Sequence, residues 1–388
     1  MNNLIEYANE KIPYYAILNI TRDCNFKCTY CYSNAGHSKE MMNFNICKKC
    51  IDLMYKLPNK KVALLFHGGE PLLNKNLIVH AIEYAESLKE KKFYYFMQTN
   101  ASLIDDSIID IIKKYNINVG VSIDGGNLED NKYRIMKDNC NSFSIIIEKL
   151  KLLHENDIYV NVLSVITKNN VNGIVDQINT LEKIGVKTFA FNYFLSSGRG
   201  AEHLEYQASD EEIYQNSIKL FERIIEINKK KDKKEEYITE RNLNYLIKNM
   251  VCKRPLYMCM KSPCGAGNSL LSFMPNGDIF PCDDFLAEDE LKIGNINDGS
   301  LTELTKKIIN KESIIFSKIF SRNINSIEEC KKCAEKYVCY GGCTSRSYYF
   351  YKNLKSVDPL CKYFKKIIPY IKNRIKEENE ILEYFGIV

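Results

Sequence analysis

AILNITRDCNFKCTYCYSN, residues 16–34, carries an apolar run of strand type straight into a polar loop holding three cysteines. Cys24, Cys28 and Cys31 stand at C-x3-C-x2-C, with no fourth cysteine beside them. A structural zinc site closes a tetrahedron of four ligands. Three thiols leave a position open. The same passage from apolar strand to polar or glycine-rich turn recurs down the chain. Strand candidates lie at 16–20, 61–66, 92–98, 118–123, 159–166 and 188–194, and they run into TRDC, HGGE, QTN, SIDGG, ITKNN and NYFLSSGRG. Helix-period segments near 40–57, 76–90, 105–115, 143–156 and 173–184 separate them, and a sixth at 210–230 opens with the capping-box pattern Ser209-Asp210-Glu211-Glu212. Six such units predict a parallel sheet, either an incomplete TIM-like barrel or a doubly wound sheet. Ligands bind at the carboxyl ends of the strands in both. One shared site at that edge is therefore expected.

The composition bounds the rest. The chain has 388 residues and a formal charge of +5, with both signs interspersed and short Lys runs that read as solvated surface. No basic strip interleaved with aromatics points to nucleic acid. The N-terminal stretch, with Glu6, Glu10 and Lys11 ahead of the short apolar run YYAILNI, reads as neither a signal peptide nor a membrane span, so a cytoplasmic protein is expected. Fifteen cysteines in a reducing compartment read as metal or redox ligands. From Cys252 onward nine of them appear, with fewer strand-like runs, and a helical tail follows near 362–382. The expected organisation is a barrel over 1–235, a helical bridge over 236–260 and a cysteine-rich domain over 261–388.

A [4Fe–4S] cube held by three thiolates keeps one iron free for a small molecule, which accounts for the missing fourth cysteine. Zinc, or a ferredoxin-type cluster with a distant ligand, is the alternative on spacing alone. Cys24, Cys28 and Cys31, with Tyr30 before the last, resemble the signature of the radical S-adenosylmethionine (SAM) superfamily. Gly68, Gly69, Glu70 and Pro71, one strand later, resemble its glycine-rich motif. The resemblance implies that SAM chelates the open iron and is cleaved reductively to a 5′-deoxyadenosyl radical, which takes a hydrogen atom from the substrate. It also implies SAM contacts from Gly68, Gly69, Glu70 and Pro71, and from Asn100, Ser122, Asp124 and Arg134, the last four of which have an ordinary alternative as turn and cap residues.

The second half carries Cys264-x12-Gly277-x4-Cys282, then Cys330-x2-Cys333-x5-Cys339-x3-Cys343, and finally Cys361. These positions resemble the SPASM extension found on part of that superfamily. The resemblance implies two auxiliary [4Fe–4S] clusters, three clusters in all. Cys264, Cys282 and Cys343 would hold the first, and Cys330, Cys333, Cys339 and Cys361 the second. Cys259 is the candidate for the missing ligand of the first cluster, with Cys252 as fallback and an open iron as the third option. Cys47 and Cys50, three apart on a predicted helix, read as core thiols, and Cys140 as structural.

Three reactions follow from the resemblance. One is cross-linking or other oxidative modification of a ribosomally made peptide, which SSGRGAE (196–202) and the DPLC segment (358–361) favour. Another is formylglycine formation by an anaerobic sulfatase maturase, which Asp283 favours because it follows Cys282 where that family has its proposed base. A haem-pathway reaction is the third. A non-enzymatic iron–sulfur electron carrier stands against all three, and the intact GGEP speaks against it. Expected partners are a peptide or protein substrate, a ferredoxin or flavodoxin as electron donor, and possible help from a separate leader-binding protein, since the stretch before Ile17 is too short for a leader-binding domain.

Overall fold

The computed structural model describes residues 11–387. The N-terminal residues read for targeting, Glu6 and Glu10 among them, lie outside the described residues. Six parallel strands, β1 (Tyr15–Asn19), β2 (Lys61–His67), β3 (Lys92–Thr99), β4 (Asn118–Ser122), β5 (Val160–Ile166) and β6 (Thr188–Tyr193), stand side by side in chain order. No strand reverses that order, so the sheet is a partial barrel and not a doubly wound sheet. Helices α1 (Phe44–Lys56), α2 (Lys75–Ser87), α3 (Asp106–Tyr115), α4 (Phe143–Glu155), α5 (Ile174–Glu182) and α6 (Asp210–Asn228) cover its outer face. The capping box at Ser209 and Glu212 forms, satisfying two orphan amide donors of α6.

Alternation along the strands divides the core. Val62, Leu64 and Phe66 of β2 face the helices, whereas Ala63 and Leu65 join Tyr15, Tyr94 and Phe96 in a small cluster on the concave face. That cluster plugs the amino-terminal floor of the barrel. Toward the carboxyl edge the concave face is polar and half-exposed, with His67, Gln98, Ser122 and Asn192 left open.

The sheet does not stop at the expected domain boundaries. Within the predicted bridge, β7 (Thr239–Glu240) pairs with β6, and α7 (Arg241–Cys252) follows it directly. On the other side, β8 (Leu270–Phe273) pairs parallel with β1, and β9 (Asp278–Phe280) and β10 (Gly294–Asn295) extend the same sheet antiparallel. Ten strands thus form one sheet, and its first cysteine-rich segment is anchored on the barrel's first strand. Beyond it come α8 (Leu301–Ile309), α9 (Ile314–Ser321), α10 (Thr344–Tyr351) and α11 (Cys361–Glu377). The last of these packs back on α6, where Arg374 pairs with Glu222 at 2.8 Å and Tyr370 donates to the same carboxylate. Among the described residues, no helix is long and apolar enough to cross a membrane.

Candidate functional site

The cysteine loop leaves the carboxyl end of β1 and is held from three sides. Asp23 Oδ1 accepts from the Cys24 amide at 2.8 Å, and Cys24 Sγ accepts from Phe26 N–H at 3.3 Å. From β2, Gly69 N–H donates to Thr21 O and Glu70 N–H to Asp23 O. A Cβ on Gly69 would stand 1.9 Å from Asp23 O, and one on Gly68 2.3 Å from Thr21 O. The glycine pair therefore lets two backbones touch. From β6, Gly198 sits at φ 54° with its α-carbon against the Cys31 and Tyr32 carbonyls, and Arg199 donates to the Cys28 and Ala35 carbonyls at 2.9 and 2.7 Å. In the sequence SSGRG reads as a polar strand end and a family mark. Its contacts show a clamp on the cysteine loop, signalled beforehand only by two glycines flanking an arginine at a strand end.

Burial pushes the Cys24 thiol up to about 12, with the Glu70 carboxyl adding to it. Burial likewise raises Cys28, to about 11, against the opposing pull of Arg134 and Arg199. Such thiols stay protonated and inert until a cationic centre draws out the thiolates. Among the described residues, no three of His, Cys, Asp and Glu converge on one point as ligands of a single ion do. Three thiols in one loop are the donor set for a cluster anchored through three of its irons, one short of the four ligands of a structural zinc site.

The residues expected to contact SAM take separate places. Glu70 is fully buried and accepts from Thr99 Oγ1 at 2.6 Å, Asn100 N–H at 2.8 Å and Leu72 N–H at 3.1 Å. Its carboxylate faces inward, capping the short turn that Pro71 begins. Asn100 Nδ2 donates to Asn25 in the cysteine loop. Ser122 lies on the concave rim and accepts from Gln98. Asp124 and Arg134 form a buried pair at 3.5 Å behind Tyr30, whose hydroxyl donates to Asp124. Burial opposes the Arg134 charge, but Tyr30, Asp124, Cys28 and Cys24 outweigh it and hold the guanidinium well above its ordinary range.

The later cysteines fall into two groups. Cys259 has Cys264 and Cys343 within electrostatic reach, Cys282 has Cys259 and Cys264, and Cys343 has Cys264. Cys252, exposed at the end of α7, is not among them. Cys330, Cys333, Cys339 and Cys361 line a single pocket. Asp358 ties the groups together, accepting from the Cys343 amide at 2.5 Å and from Arg346 at 2.7 Å. Cys47 and Cys50 are fully buried in α1, and Cys140 is exposed.

Asp283 joins the two halves. It accepts from Asn19 at the end of β1, Ser272 on β8 and Tyr32 beside Cys31, and it faces His67 at the end of β2. Burial, with Asp283 next, raises the Tyr32 hydroxyl well above its ordinary value.

The family profile described as the Radical SAM superfamily matches residues 18–186, and that described as an iron-sulfur cluster-binding domain, SPASM, matches residues 264–334. An uncharacterized protein of Methanocaldococcus jannaschii is 32% identical over 296 residues, covering 75% of this chain and 91% of that protein. A cysteine-type anaerobic sulfatase-maturating enzyme of Clostridium novyi is 26% identical, covering 88% of this chain and 91% of its own. The radical SAM cyclopropyl synthase TigE of Paramaledivibacter caminithermalis is 25% identical, covering 94% and 74%. Among solved structures, native anSMEcpe with bound AdoMet and Cp18Cys peptide shares the fold at a TM-score of 0.79 and 22% identity, over 97% of this chain and 100% of that one.

Proposed function

Because the chain belongs to the radical SAM superfamily and carries its SPASM iron–sulfur extension, we propose that it is a maturase that modifies a ribosomally made peptide, by cross-linking or another oxidative change. Membership brings iron–sulfur clusters and SAM, and their chemistry is reductive cleavage of SAM to a radical able to take hydrogen from carbon. In this reading Cys24, Cys28 and Cys31 hold the SAM-binding cluster. Cys259, Cys264, Cys282 and Cys343 hold one auxiliary cluster, and Cys330, Cys333, Cys339 and Cys361 the other. Gly68 and Gly69 seat the cysteine loop, Pro71 starts the turn that Glu70 caps, and Asn100, Ser122, Asp124 and Arg134 line or brace the SAM side. A ferredoxin or flavodoxin supplies electrons, and a separate leader-binding protein is an optional partner.

The observation that carries the reading is the open concave rim. His67, Gln98, Ser122 and Asn192 stay half-exposed or exposed between the cysteine loop and the SPASM segment, while the opposite strand faces are sealed by helices. A substrate reaching that rim meets polar groups, and relatives named as sulfatase-maturating enzymes and an antilisterial bacteriocin subtilosin biosynthesis protein support a protein or peptide substrate. Formylglycine formation is the second reading, favoured by Asp283 beside Cys282 and by the sulfatase-maturating relatives.

Incubation of the reconstituted protein with SAM, dithionite and either genome-neighbouring precursor peptides or sulfatase-derived Cys and Ser peptides separates them. Loss of two hydrogens from a precursor peptide supports the first reading. An aldehyde formed only in the sulfatase peptides replaces it with the second.

A further inference from the structure

Asp283 reads from the sequence as the proton acceptor, yet its lone pairs are already engaged. Oδ1 accepts from Asn19 Nδ2 at 2.8 Å and Ser272 Oγ at 2.9 Å. Oδ2 accepts from the Tyr32 hydroxyl and faces His67 Nδ1 at 3.7 Å. A carboxylate offers about four lone-pair sites. Three hydrogen bonds occupy three of them and the remaining side of Oδ2 faces the His67 ring, so the carboxylate is aimed at protein groups.

The next group outward is His67, the last residue of β2, on the concave face beside the glycine pair. Asn19 spends its Nδ2 on Ser272 and Asp283, so the oxygen it turns to His67 Nδ1, at 3.4 Å, is its carbonyl Oδ1. With a carbonyl and a carboxylate oxygen facing Nδ1, the neutral ring carries its proton there, an assignment made from the hydrogen-bond network. Nε2 keeps its lone pair, and no described residue bonds it. The titratable groups facing this ring are Asp283, from the segment after β9, and behind it Tyr32 of the cysteine loop. Asn19 on β1 and Gln98 on β3, its neighbours on the same face, are uncharged.

We propose that His67, through Nε2, is the catalytic residue that takes the proton released when the substrate is oxidised. Asp283 is its positioning residue, fixing the tautomer and stabilising the imidazolium. This rests on the maturase reading and applies where the modification breaks an S–H, O–H or N–H bond, as in a carbon–heteroatom cross-link or in aldehyde formation. The balance is as follows. A substrate C–H bond breaks and its hydrogen atom goes to the deoxyadenosyl radical. One electron then leaves to a one-electron acceptor of iron–sulfur class. The S–H, O–H or N–H bond breaks, its proton goes to Nε2, and the freed pair forms the new bond to carbon.

The test compares wild type with His67→Gln and Asp283→Asn, reading iron content, 5′-deoxyadenosine and modified peptide together. SAM cleavage needs no proton acceptor, so the ratio of modified peptide to 5′-deoxyadenosine falls by about 10²-fold in His67→Gln at unchanged iron content. Asp283→Asn lowers the ratio too and alters its dependence on pH. Retention of the wild-type ratio in His67→Gln, or loss of iron together with product, overturns the assignment. A substrate-free arm uses diethyl pyrocarbonate, which acylates an accessible unprotonated imidazole nitrogen, followed by peptide mass mapping of the five histidines. Acylation of His67 in the holoenzyme supports a free Nε2, and resistance of His67 while His203 reacts overturns it. Wild type that cleaves SAM yet leaves every peptide unchanged counts against the maturase reading instead, and the acylation arm then decides on His67 alone.

Discussion

At the residue scale, Gly69 carries the sharpest constraint. With 1.9 Å between a Cβ there and the Asp23 carbonyl, Gly69→Ala must push the cysteine loop away from β2. The variant should fold, because the contact lies at a strand end, but should retain less than half the wild-type iron after reconstitution. Wild-type iron content would show that the loop can yield. The glycine pair was legible in the sequence as a motif, but its reason was not. The resemblance implies glycines facing SAM, whereas the structure spends them on contact between two strand-end segments distant in sequence. Lys311 offers a cleaner electrostatic case, away from the candidate ligands. Burial, with Lys261 adding to it, lowers its value from 10.5 to about 8. The folded state therefore releases this proton first, and the unfolded chain binds more protons between those values. Stability gains a contribution as pH rises from about 8 toward 10.5. Lys311→Met should lack that slope, as read from unfolding midpoints across the range.

At the element scale, the six strands and six helices follow from period alone, since an apolar run that is buried on both faces has few alternatives in an α/β chain. The additional strands did not announce themselves. β7 has two residues and β9 three, too few for any period, and they exist because neighbouring strands offer open edges. The clamp from the β6 turn is likewise a tertiary fact. Arg199 reaches the Cys28 and Ala35 carbonyls across more than 160 residues of chain, and no local pattern encodes that reach. Arg199→Ala removes both bonds. Each is a charge-assisted hydrogen bond whose loss leaves a carbonyl short of a donor, a cost of about 1–3 kcal/mol. The expected outcome is faster loss of iron on exposure to a chelator, with an unfolding midpoint lowered by a few degrees. Equal chelation rates would remove the clamp from the account.

At the scale of the whole molecule, the barrel and the SPASM segment share one sheet and one buried polar junction at Asp283. The two thiol groups enter the reading through the SPASM resemblance. It left open which residue completes the first, because Cys259, five residues before Cys264, and Cys252, twelve before it, both lie outside the spaced pattern. Chain path separates them: both are exposed, but Cys252 closes α7 whereas the following turn returns Cys259 toward Cys264 and Cys343. Cys259→Ala should lower the iron count or alter the auxiliary cluster's spectrum, and Cys252→Ala should change neither. The reverse pattern would return Cys252 to the site.

The most direct measurement is made on anaerobically reconstituted protein, counting iron and sulfide and then following 5′-deoxyadenosine after SAM and dithionite are added. The account predicts about twelve irons per chain, four for each of three clusters, with SAM cleaved. Bound zinc, or about four irons or fewer, with SAM left intact would contradict it.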